Sequence, residues 1–568
     1  MLDQTQKTAA TEDQVLVGEA FLASLKANGV DYLFANAGTD FPPIIEAIAQ
    51  SHARRTKIPE ALVIPHETVA VGMAHGYYLA TGKAQAVMVH VNVGLANTAM
   101  GVLNAASDEA AMLVCSGRTP LTEGNREGAR SSPIHWGQEM YDQNALVREP
   151  AKWHYELRYP EQVAQVVGRA LSIARSEPAG PAYLSLPREV LSERCPAAGM
   201  AAKPAPAIRP VLPLDSALAE AAQMIGAAEH PVIITHGLAG AAEVEALEAM
   251  AAMAGIPVVE YFPTKVAIRD DHPAAAGQDP QPFLKKADLI IVLQALVPWV
   301  PDIHATAPGA RIVSIGTDPL YQKLPVRGFT ADLALAGSIA ATLHALAARI
   351  QVPATLRSRR LDGIAALRGA QRAAIAKRVE VARVDPMGPA WVTHCIDQAL
   401  PDDAIIVNEL GVDSAILRFR APASYFATPL SGGLGFGMPA ALGAQLADRG
   451  RQVVACVGDG SYMFANPVAC HQVAQALELP LLTIVMNNGL WNAVRRSTLH
   501  MYPDGASAKG RMPLTEIGAG TNYAMIAEAH GAFALRVTDP EELPGALRAA
   551  LAETAKGRQA LLELRVGV

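Results

Sequence analysis

Short apolar runs alternate with longer Ala-rich stretches along most of the chain. Runs such as DYLFANAG, ALVIPH and AQAVMVHVN are typical of buried strands, and the stretch ETVAVGMAHGYYLATG between two of them has the length and spacing of a helix. Because short strands that alternate with helices form parallel sheets covered on both faces, the pattern predicts an α/β protein. The expected fold class is therefore α/β with doubly wound parallel sheets.

The pattern divides into three blocks, which we interpret as three domains. Residues 1–191 form the first block, and the Pro- and Ala-rich segment CPAAGMAAKPAPAIRPVLP that follows is typical of a linker. The second block covers residues 213–350, and a charged helical stretch beginning RSRRLDG separates it from the third, residues 386–568. The first and third blocks are similar in length and layout, which predicts two related sheets.

Composition narrows the class of protein. The 568 residues carry 47 Lys and Arg against 54 Asp and Glu, so there is no basic footprint for nucleic acid. No uninterrupted apolar stretch approaches the ~20 residues of a membrane helix, and the polar, acid-containing first residues are unlike a signal peptide. The five scattered cysteines include no CxxC pair, which argues against a disulfide framework or a zinc site. We therefore expect a cytoplasmic protein that binds neither nucleic acid nor membrane.

Two apolar runs near the C-terminus end in side chains with oxygen atoms. VVACVGDG ends at the glycine-flanked Asp459, and LLTIVMNN ends at Asn488, 29 positions later (488 − 459). This spacing fits one strand–helix–strand crossover, whose strands end at the same sheet edge. A carboxylate and an amide oxygen suit Mg²⁺, and a helix beginning near Ser461 would aim free N–H groups at a phosphate. Either motif alone is typical of an ordinary turn, but together they predict a magnesium–diphosphate site.

The stretch GDGSYMF…IVMNNGLW resembles the magnesium and diphosphate motif of thiamine diphosphate-dependent enzymes. VIPHETVAVGMAHGYYLATGK is similar to the family segment that carries the cofactor-activating glutamate, and SGGLGFGMPAALGAQLA to the segment that cradles the thiamine. The three blocks then correspond to the family's pyrimidine, central and diphosphate domains. The resemblance covers almost the whole chain and implies thiamine diphosphate and Mg²⁺ as cofactors.

The resemblance implies roles for individual residues. Glu67 would face N1′ of the cofactor's aminopyrimidine and favour the imino tautomer, whose nitrogen takes the proton from thiazolium C2. Without the resemblance, Glu67 would be a glutamate made favourable by a helix N-terminus. The Asp459 carboxylate, the Asn488 side chain and the Leu490 carbonyl would ligate Mg²⁺.

Further cofactor-binding residues follow from the same motifs. Gly432 would offer a carbonyl to the 4′-amino group, and Leu434 would sit between the two rings and hold the cofactor bent. The remaining residues expected around the cofactor are Asn36, Gly38, Thr39, Asn97, Gly458, Gly460 and Ser461.

A histidine bears on which thiamine-dependent reaction to expect. In VMVHVNVGLANTAMG, His90 lies 23 positions (90 − 67) after Glu67, like the strand-end histidine of benzoylformate decarboxylases. Thr39 falls where those enzymes have a substrate-contacting serine, and Val494 falls in their apolar substrate pocket. Histidine titrates near neutrality, so His90 could shuttle a proton to the reacting carbon; the alternative is a structural histidine at a strand end. Three further histidines rank behind it as more often structural: His66, His135 and His500.

The sequence also departs from each neighbouring group. Pyruvate decarboxylases have a glutamate at the position of Val494 and a His-His pair in the first-domain loop, where this chain has SSPIHWGQEMYDQ. Acetolactate synthases share the PHE start of the Glu67 helix and a Gln-Glu pair like Gln138-Glu139, but their substrate-arginine and flavin-site patterns are not found in the central block. VPWVP stands where benzoylformate decarboxylases have a second active-site histidine.

We therefore expect an enzyme that depends on thiamine diphosphate and Mg²⁺ and acts on 2-oxo acids or acyloins, by non-oxidative decarboxylation or related carbon–carbon cleavage and ligation. The alternatives are a carboligase of the acetolactate synthase type, a flavin-dependent oxidase of the same fold and a non-catalytic cofactor-binding subunit. In this family the cofactor lies between the first domain of one subunit and the third of another. A homodimer or homotetramer with active sites at the subunit interface is expected for that reason.

Overall fold

The computed structural model describes residues 14–197, 200, 206, 208–518 and 520–568. The first 13 residues and much of the predicted linker therefore lie outside the described residues. The chain divides into two compact units, the first made of residues 1–208 with 429–433 and the second of residues 209–428 with 434–568. Among the described helices, none combines the length and the apolar character needed to cross a bilayer.

The first unit contains an all-parallel six-stranded sheet and a small antiparallel pair. Its strands are β1 (Gln14–Leu16), β2 (Tyr32–Ala35), β3 (Glu60–Val63), β4 (Gln85–Val89), β5 (Met112–Arg118), β6 (Trp153–Glu156), β7 (Pro181–Pro187) and β8 (Arg194–Pro196). Its helices are α1 (Val17–Ala27), α2 (Pro42–Ala53), α3 (Glu67–Thr81), α4 (Val91–Ser107), α5 (Ile134–Gly137), α6 (Val163–Arg175) and α7 (Arg188–Ser192). The sheet order is β3-β2-β4-β5-β7-β6, and β1 pairs with β8. Every residue of β4, β5 and β7 is buried, as central strands between two helical layers should be.

The second unit contains two more parallel sheets. The strands of the first are β9 (Pro231–Thr235), β10 (Val258–Glu260), β11 (Leu289–Leu293), β12 (Arg311–Gly316) and β13 (Leu333–Ala336), in the order β10-β9-β11-β12-β13. Its helices are α8 (Asp215–Ala227), α9 (Ala241–Ala254), α10 (Gln281–Leu284) and α11 (Ile339–Ala347). The charged stretch after it forms one helix of 28 residues, α12 (Ala354–Val381).

The last sheet of the second unit has six parallel strands. They are β14 (Ile405–Glu409), β15 (Tyr425–Ala427), β16 (Val453–Gly458), β17 (Leu482–Asn487), β18 (Phe533–Val537) and β19 (Ala560–Arg565), in the order β15-β14-β16-β17-β19-β18. The accompanying helices are α13 (Pro389–Ala399), α14 (Gly437–Ala447), α15 (Asp459–Phe464), α16 (Pro467–Ala476), α17 (Asn492–Met501), α18 (Tyr523–Glu528) and α19 (Leu543–Thr554).

The first and last sheets share one topology. If the six strands of each are numbered by their order in the chain, both sheets run 2-1-3-4-6-5. Two related sheets were predicted from the layout of the blocks, and the topology agrees. In such sheets ligands bind beyond the carboxyl ends of the strands, at the point where the strand order reverses. That point lies between β2 and β4 in the first sheet and between β14 and β16 in the last.

One helix differs from the prediction. The helix expected to begin near Ser461 begins at Asp459 and ends at Phe464, and a separate helix starts at Pro467. Asn466 between them has φ +55°, outside the right-handed helical region. A residue before proline is pushed out of that region by the proline ring, and proline has no N–H to continue the hydrogen-bond ladder. The single predicted helix is therefore two.

Candidate active site

Three chemically active side chains follow neighbouring strands of the first sheet. Asp40 lies in the turn after β2, Glu67 is the first residue of α3, and His90 directly follows β4 as the N-cap of α4. Strands β3, β2 and β4 are adjacent and parallel, so the segments that follow them meet at one edge of the sheet. This edge is the place where the strand order reverses.

Asp40 and His90 form a close pair. Nδ1 of His90 lies 2.6 Å from Oδ1 of Asp40, and Oδ2 of Asp40 accepts the N–H of Val91 at 3.2 Å. The hydrogen bond to Asp40 raises the pKa of His90; burial opposes it, and the charges of Asp40 and Glu67 add to the rise. Because the Asp40 carboxylate accepts the proton on Nδ1, Nε2 is the nitrogen that gains or loses a proton. Asp40 is missing from the sequence prediction, although it stands in the same GTD turn as Thr39.

Two glycines make room for this pair. A Cβ placed on Gly38 would lie 2.1 Å from Nδ1 of His90, and a Cβ on Gly117 would lie 1.6 Å from Oδ2 of Asp40. Both distances are far below van der Waals contact, so any side chain at either position must displace the pair. Gly38 was expected among the cofactor-binding residues; its contact in the structure is with the histidine ring.

The Gly38→Ala variant tests this packing. The added methyl group must push the His90 ring away from Asp40, and overpacking of this kind costs about 1–3 kcal/mol. We expect a loss of this size in the free energy of unfolding, measured by chemical denaturation. Gly124→Ala is the matched control, because nothing lies within 4 Å of a Cβ at Gly124. Equal stability of the two variants would contradict the close approach of the ring to Gly38.

Glu67 is held by the segment that begins α4. Nδ2 of Asn97 donates to Oε2 of Glu67 at 3.1 Å, and a Cβ on Gly94 would lie 3.1 Å from Oε1. His66 caps α3, since its Nδ1 accepts the N–H of Thr68 at 3.2 Å. The Glu67 side chain is 13 % exposed, so its carboxyl group is largely shielded but reachable. Asn97, expected near the cofactor, is thus a direct partner of Glu67.

Two other expected residues of the first unit, Asn36 and Thr39, lie in the segment between β2 and α2. Nδ2 of Asn36 donates to the carbonyl of Ile64 at 2.9 Å, which ties the end of β2 to the segment before Glu67. Thr39 is exposed, and its carbonyl accepts Nη1 of Arg188 at 3.1 Å. Both residues therefore help to shape the turn that carries Asp40.

Gly432 belongs to the short segment 429–433 of the first unit and has φ +72°. Asn104 of α4 holds the residues around it: Oδ1 accepts the N–H of Gly433 at 3.1 Å and the hydroxyl of Ser431 at 2.7 Å, and Nδ2 donates to the Gly433 carbonyl at 2.9 Å. Asn104 was not predicted as a functional residue. Asn104, 328 positions earlier in the chain (432 − 104), therefore fixes the residues on both sides of Gly432, whose carbonyl was expected to meet the 4′-amino group.

In the second unit, Asp459 bridges the ends of β16 and β17. It is 2 % exposed, its Oδ1 accepts the N–H of Gly460 at 2.8 Å, and its Oδ2 accepts the N–H of Gly489 at 2.6 Å. Burial raises the pKa of Asp459, and these backbone N–H groups oppose the rise. Oδ1 of Asn488 accepts the N–H of Leu490 at 3.0 Å. The Asp459 carboxylate thus contacts the turn after β17, which carries the other two expected metal ligands, Asn488 and Leu490.

The donor types of these three residues fit magnesium. A carboxylate, an amide oxygen and a backbone carbonyl are hard oxygen ligands, and Mg²⁺ usually completes its shell with water and phosphate oxygens. The described part of the chain has no group of three or more His, Cys, Asp or Glu side chains suited to a metal. That finding is compatible with a set that contains a single carboxylate, Asp459.

The other residues of the GDG motif are packed tightly. A Cβ on Gly460 would lie 2.3 Å from the Trp491 ring, so the indole rests on the glycine backbone. Ser461 is buried, and Gly458 is the N-cap of α15. The close approach of the ring explains why position 460 has no side chain.

The turn after β17, which carries the expected metal ligands Asn488 and Leu490, is supported by Asn487 and by Glu563, which was not predicted. Oδ1 of Asn487 accepts the N–H of Gly489 at 3.1 Å, and its Nδ2 donates to Oε1 of Glu563 at 2.8 Å. Glu563 is 1 % exposed, and its Oε2 also accepts the N–H groups of Tyr523 and Ala524. A buried carboxylate on β19 therefore orients the turn after β17.

A second buried carboxylate holds the segment that contains Leu434. Glu409, the last residue of β14, accepts the N–H groups of Gly435 and Gly437, both at 2.6 Å. Burial raises the pKa of Glu409 to about 7, although these N–H groups oppose the rise. Leu434 is half-buried at the start of this clamped segment.

The remaining candidates are exposed or have structural contacts. Val494 is 50 % exposed on α17, and His500 is exposed on the same helix. Nδ1 of His135 accepts the N–H of Ser131 at 3.1 Å, and burial, together with nearby Arg188 and Arg130, lowers its pKa. These contacts agree with the structural interpretation of His135.

The expected site residues thus form two groups, one in each compact unit. The first unit holds Asn36, Gly38, Thr39, Glu67, His90, Asn97 and Gly432. The second unit holds Leu434, Gly458, Asp459, Gly460, Ser461, Asn488 and Leu490. The structure adds the supporting residues Asp40, Asn104, Glu409, Asn487 and Glu563.

Comparison with known proteins gives matches along most of the chain. Residues 16–146 match the thiamine pyrophosphate enzyme N-terminal TPP binding domain, residues 218–346 the central domain of the same family, and residues 411–564 its C-terminal TPP binding domain.

Two curated relatives and one solved structure match this chain over nearly their whole length. A benzoylformate decarboxylase of Pseudomonas aeruginosa is 28% identical, over 93% of this chain and 95% of its own. A sulfoacetaldehyde acetyltransferase of Rhodobacter capsulatus is also 28% identical, over 96% and 93%. The structure of a thiamine diphosphate-dependent 4-hydroxybenzoylformate decarboxylase from Rhodococcus jostii shares the fold, with a TM-score of 0.77, 22% identity, and coverage of 97% of this chain and 99% of that one. With its three parallel-sheet domains in the family's order, this chain belongs to the thiamine pyrophosphate enzymes.

Proposed function

We propose that this protein is a thiamine diphosphate- and Mg²⁺-dependent enzyme that decarboxylates 2-oxo acids without oxidation and has carboligase capability. The observation that carries the proposal is the meeting of Glu67 with the His90–Asp40 pair at one edge of the first sheet. A carboxyl group and a histidine whose pKa is raised supply two proton-transfer groups. The similarity to a benzoylformate decarboxylase supports this choice of reaction.

The chain's own residues divide the work. When bound, thiamine diphosphate supplies a nucleophilic carbon and an electron sink next to it. Asp459, Asn488 and Leu490 would hold Mg²⁺ and, through it, the diphosphate, while Glu409 keeps the segment that contains Leu434 in place. Glu67 would hold a proton at the cofactor's aminopyrimidine, with Asn97 orienting its carboxyl group. His90 would deliver a proton from Nε2 to the reacting carbon, because Asp40 occupies Nδ1.

The His90→Ala variant tests the second proton-transfer group. Loss of the imidazole removes general acid catalysis, an effect of about 10²–10⁴-fold on turnover, and leaves the Mg²⁺ ligands untouched. We therefore expect the rate constant for product formation to fall while the thiamine diphosphate affinity, measured by calorimetry, stays within a few-fold. Full turnover with the true substrate would return His90 to its structural interpretation.

Product analysis by mass spectrometry tests the reaction itself. The purified protein would receive thiamine diphosphate and Mg²⁺, and then pyruvate, benzoylformate or branched 2-oxo acids, each with and without an acceptor aldehyde. Free aldehyde with carbon dioxide from one acid is the expected result. Ligation products without free aldehyde would instead support a carboligase of the acetolactate synthase type.

A second candidate is acyl transfer, favoured by one observation. The acetyltransferase relative is as similar as the decarboxylase, with 28% identity to each. Adding inorganic phosphate as acceptor in the same product analysis separates the two, since an acyl phosphate would appear only from a transferase. A yellow protein that consumes oxygen would point to the flavin-dependent oxidase, and absence of any reaction to a non-catalytic cofactor-binding subunit.

We also infer a homodimer or homotetramer with active sites at the subunit interface. Glu67 and Asp459 belong to different compact units of the chain, and the family resemblance implies that they meet across subunits. Analytical ultracentrifugation tests this: a monomer that is fully active would contradict it. A cytoplasmic location is inferred as well, because the five cysteines are free and buried. Cell fractionation checks that inference.

A further inference from the structure

Gln138 lies against Nε2 of His90, the ring nitrogen that does not face Asp40. It directly follows α5 and is 7 % exposed, and its Nε2 is 3.1 Å from Nε2 of His90. Its Oε1 is buried and has no hydrogen-bond partner among the described residues. The Gln138 side chain can therefore donate a hydrogen bond to the ring through Nε2, while its Oε1 is available as an acceptor.

The contact distinguishes the two protonation states of His90. A neutral ring that donates Nδ1–H to Asp40 has a lone pair on Nε2, which accepts an amide N–H. An imidazolium carries a proton on Nε2 and needs an acceptor there instead. The two ends of a glutamine amide have nearly the same shape, so a half-turn of the amide exchanges donor for acceptor without a change in volume. The unpartnered Oε1 is the acceptor that this second state requires.

We propose that Gln138 is a positioning residue whose amide turns over with the protonation of His90, donating to the neutral ring and accepting from the imidazolium. Nε2 of His90 then has a hydrogen-bond partner in both protonation states, so the contact prevents neither state from forming. The consequence for catalysis rests on the proposed function of His90, whereas the turnover of the amide rests on the contact alone.

The residue after Gln138 is anchored through its side chain. Glu139 accepts Nη2 of Arg118 at 2.6 Å and also pairs with Arg130. Both guanidinium groups are largely buried, with side chains 8 % and 9 % exposed. The loop is thereby fixed to the carboxyl end of β5 and to its own earlier residues.

Charged and titratable residues near His90 also act on its protonation. Asp40 and Glu67 raise the pKa of His90, and His135 in the same loop interacts with it by charge. Asp40 keeps Nδ1 occupied in both protonation states. Nε2 is the position where donor and acceptor must exchange, and Gln138 faces it.

The direct test is magic-angle-spinning NMR of the sedimented full-length protein, labelled with ¹⁵N in the histidine rings and glutamine amides. At pH well above the pKa of His90, a through-space correlation between the Gln138 amide nitrogen and His90 Nε2 is expected. Below that pKa it should weaken as Oε1 replaces the amide nitrogen. A correlation of constant strength after Nε2 has become protonated would overturn the proposal. Gln138→Leu, which lacks the amide, identifies the signal.

The Gln138→Glu variant gives a second readout that a merely structural residue would not move. A carboxylate can only accept, so it should stabilise the imidazolium and raise the pKa of His90 by one unit or more, a tenfold or greater gain in proton affinity. Gln138→Leu should lower the pKa, because a charged donor loses more than a neutral acceptor when its partner is removed. Gln165→Glu on the exposed face of α6 is the matched control and should leave it unchanged. Equal His90 pKa values in all variants would overturn the proposal.

The same measurements separate this inference from the proposed function. They need neither substrate nor cofactor, so a normal amide response in a protein with no decarboxylase activity would uphold the switch and remove the proposed reaction. An active decarboxylase whose pH–rate profile is the same in the wild type and in Gln138→Glu would support the proposed reaction and contradict the proposed role of Gln138.

Discussion

Replacing Glu67 by glutamine is expected to reduce turnover by about 10²–10⁴-fold, the size of a general acid–base contribution. Glutamine keeps the length of the side chain and can still pair with Asn97, but it cannot exchange a proton with the cofactor's aminopyrimidine. Cofactor affinity should change little, because the expected metal ligands lie in the other compact unit. The decisive measurement is the rate at which the C2 hydrogen of bound thiamine diphosphate exchanges with deuterium, followed by acid quench and NMR. That exchange needs no substrate.

Glu60→Gln is the matched control for this experiment. Glu60 is an exposed residue of β3, so it makes the same chemical change in the same unit at a distance from the expected site. It should exchange C2 hydrogen at the wild-type rate. If Glu67→Gln did the same, Glu67 would be a residue of the α3 N-terminus only, and a non-catalytic cofactor-binding protein would become the better interpretation.

The strands that the sequence predicts are those with a short apolar run, which is visible without knowledge of its neighbours. AQAVMVHVN contains β4, which is fully buried, and ALVIPH contains β3, which is mostly exposed at the sheet edge. β6, at the other edge, was not predicted, because its sequence WHYE contains His and Glu and is not an apolar run. The β1–β8 pair joins segments 180 positions apart (194 − 14), and no local pattern reports such a pairing.

The site could be predicted only as far as its motifs reach. Glu67, His90, Asp459 and Asn488 each stand in a recognisable stretch of sequence. Asp40 was missed because its importance comes from the adjacency of β2 and β4, which brings it to His90 across 50 positions. The sequence signal that could have predicted the pair was an acidic residue, Asp40, soon after β2 and a histidine, His90, directly after β4.

The buried supporting carboxylates were missed for a related reason. Glu563 and Glu409 end or interrupt apolar strands, where a single glutamate is usually taken as a sheet-edge residue. Their function depends on backbone N–H groups contributed by other segments, so it becomes visible only when hydrogen bonds can be traced. Three glycines mark close contacts in the structure: a side chain at Gly38, Gly117 or Gly460 would collide with His90, Asp40 or Trp491, respectively.

The Asp459→Ala variant should abolish Mg²⁺-dependent binding of thiamine diphosphate. Asp459 is the only carboxylate among the three expected metal ligands, and its charge would offset that of a bound Mg²⁺. Loss of an outer-shell partner typically costs about 10–100-fold in metal affinity, so removal of a direct ligand should cost more. Calorimetric titration with thiamine diphosphate, with Mg²⁺ and with EDTA, measures the difference. In the wild type the two titrations should differ widely, and in the variant they should coincide.

Two further variants separate metal binding from support of the turn. Asp459→Asn keeps an oxygen acceptor for the N–H of Gly489 but removes the charge, so it should preserve the turn and still lose most of the Mg²⁺ dependence. Asp504→Ala removes an exposed aspartate of the same unit and should bind like the wild type. If Asp459→Asn retained full Mg²⁺ dependence, the aspartate would be a hydrogen-bond acceptor that orients Gly489, and the metal would have to be held by other oxygen atoms of the turn.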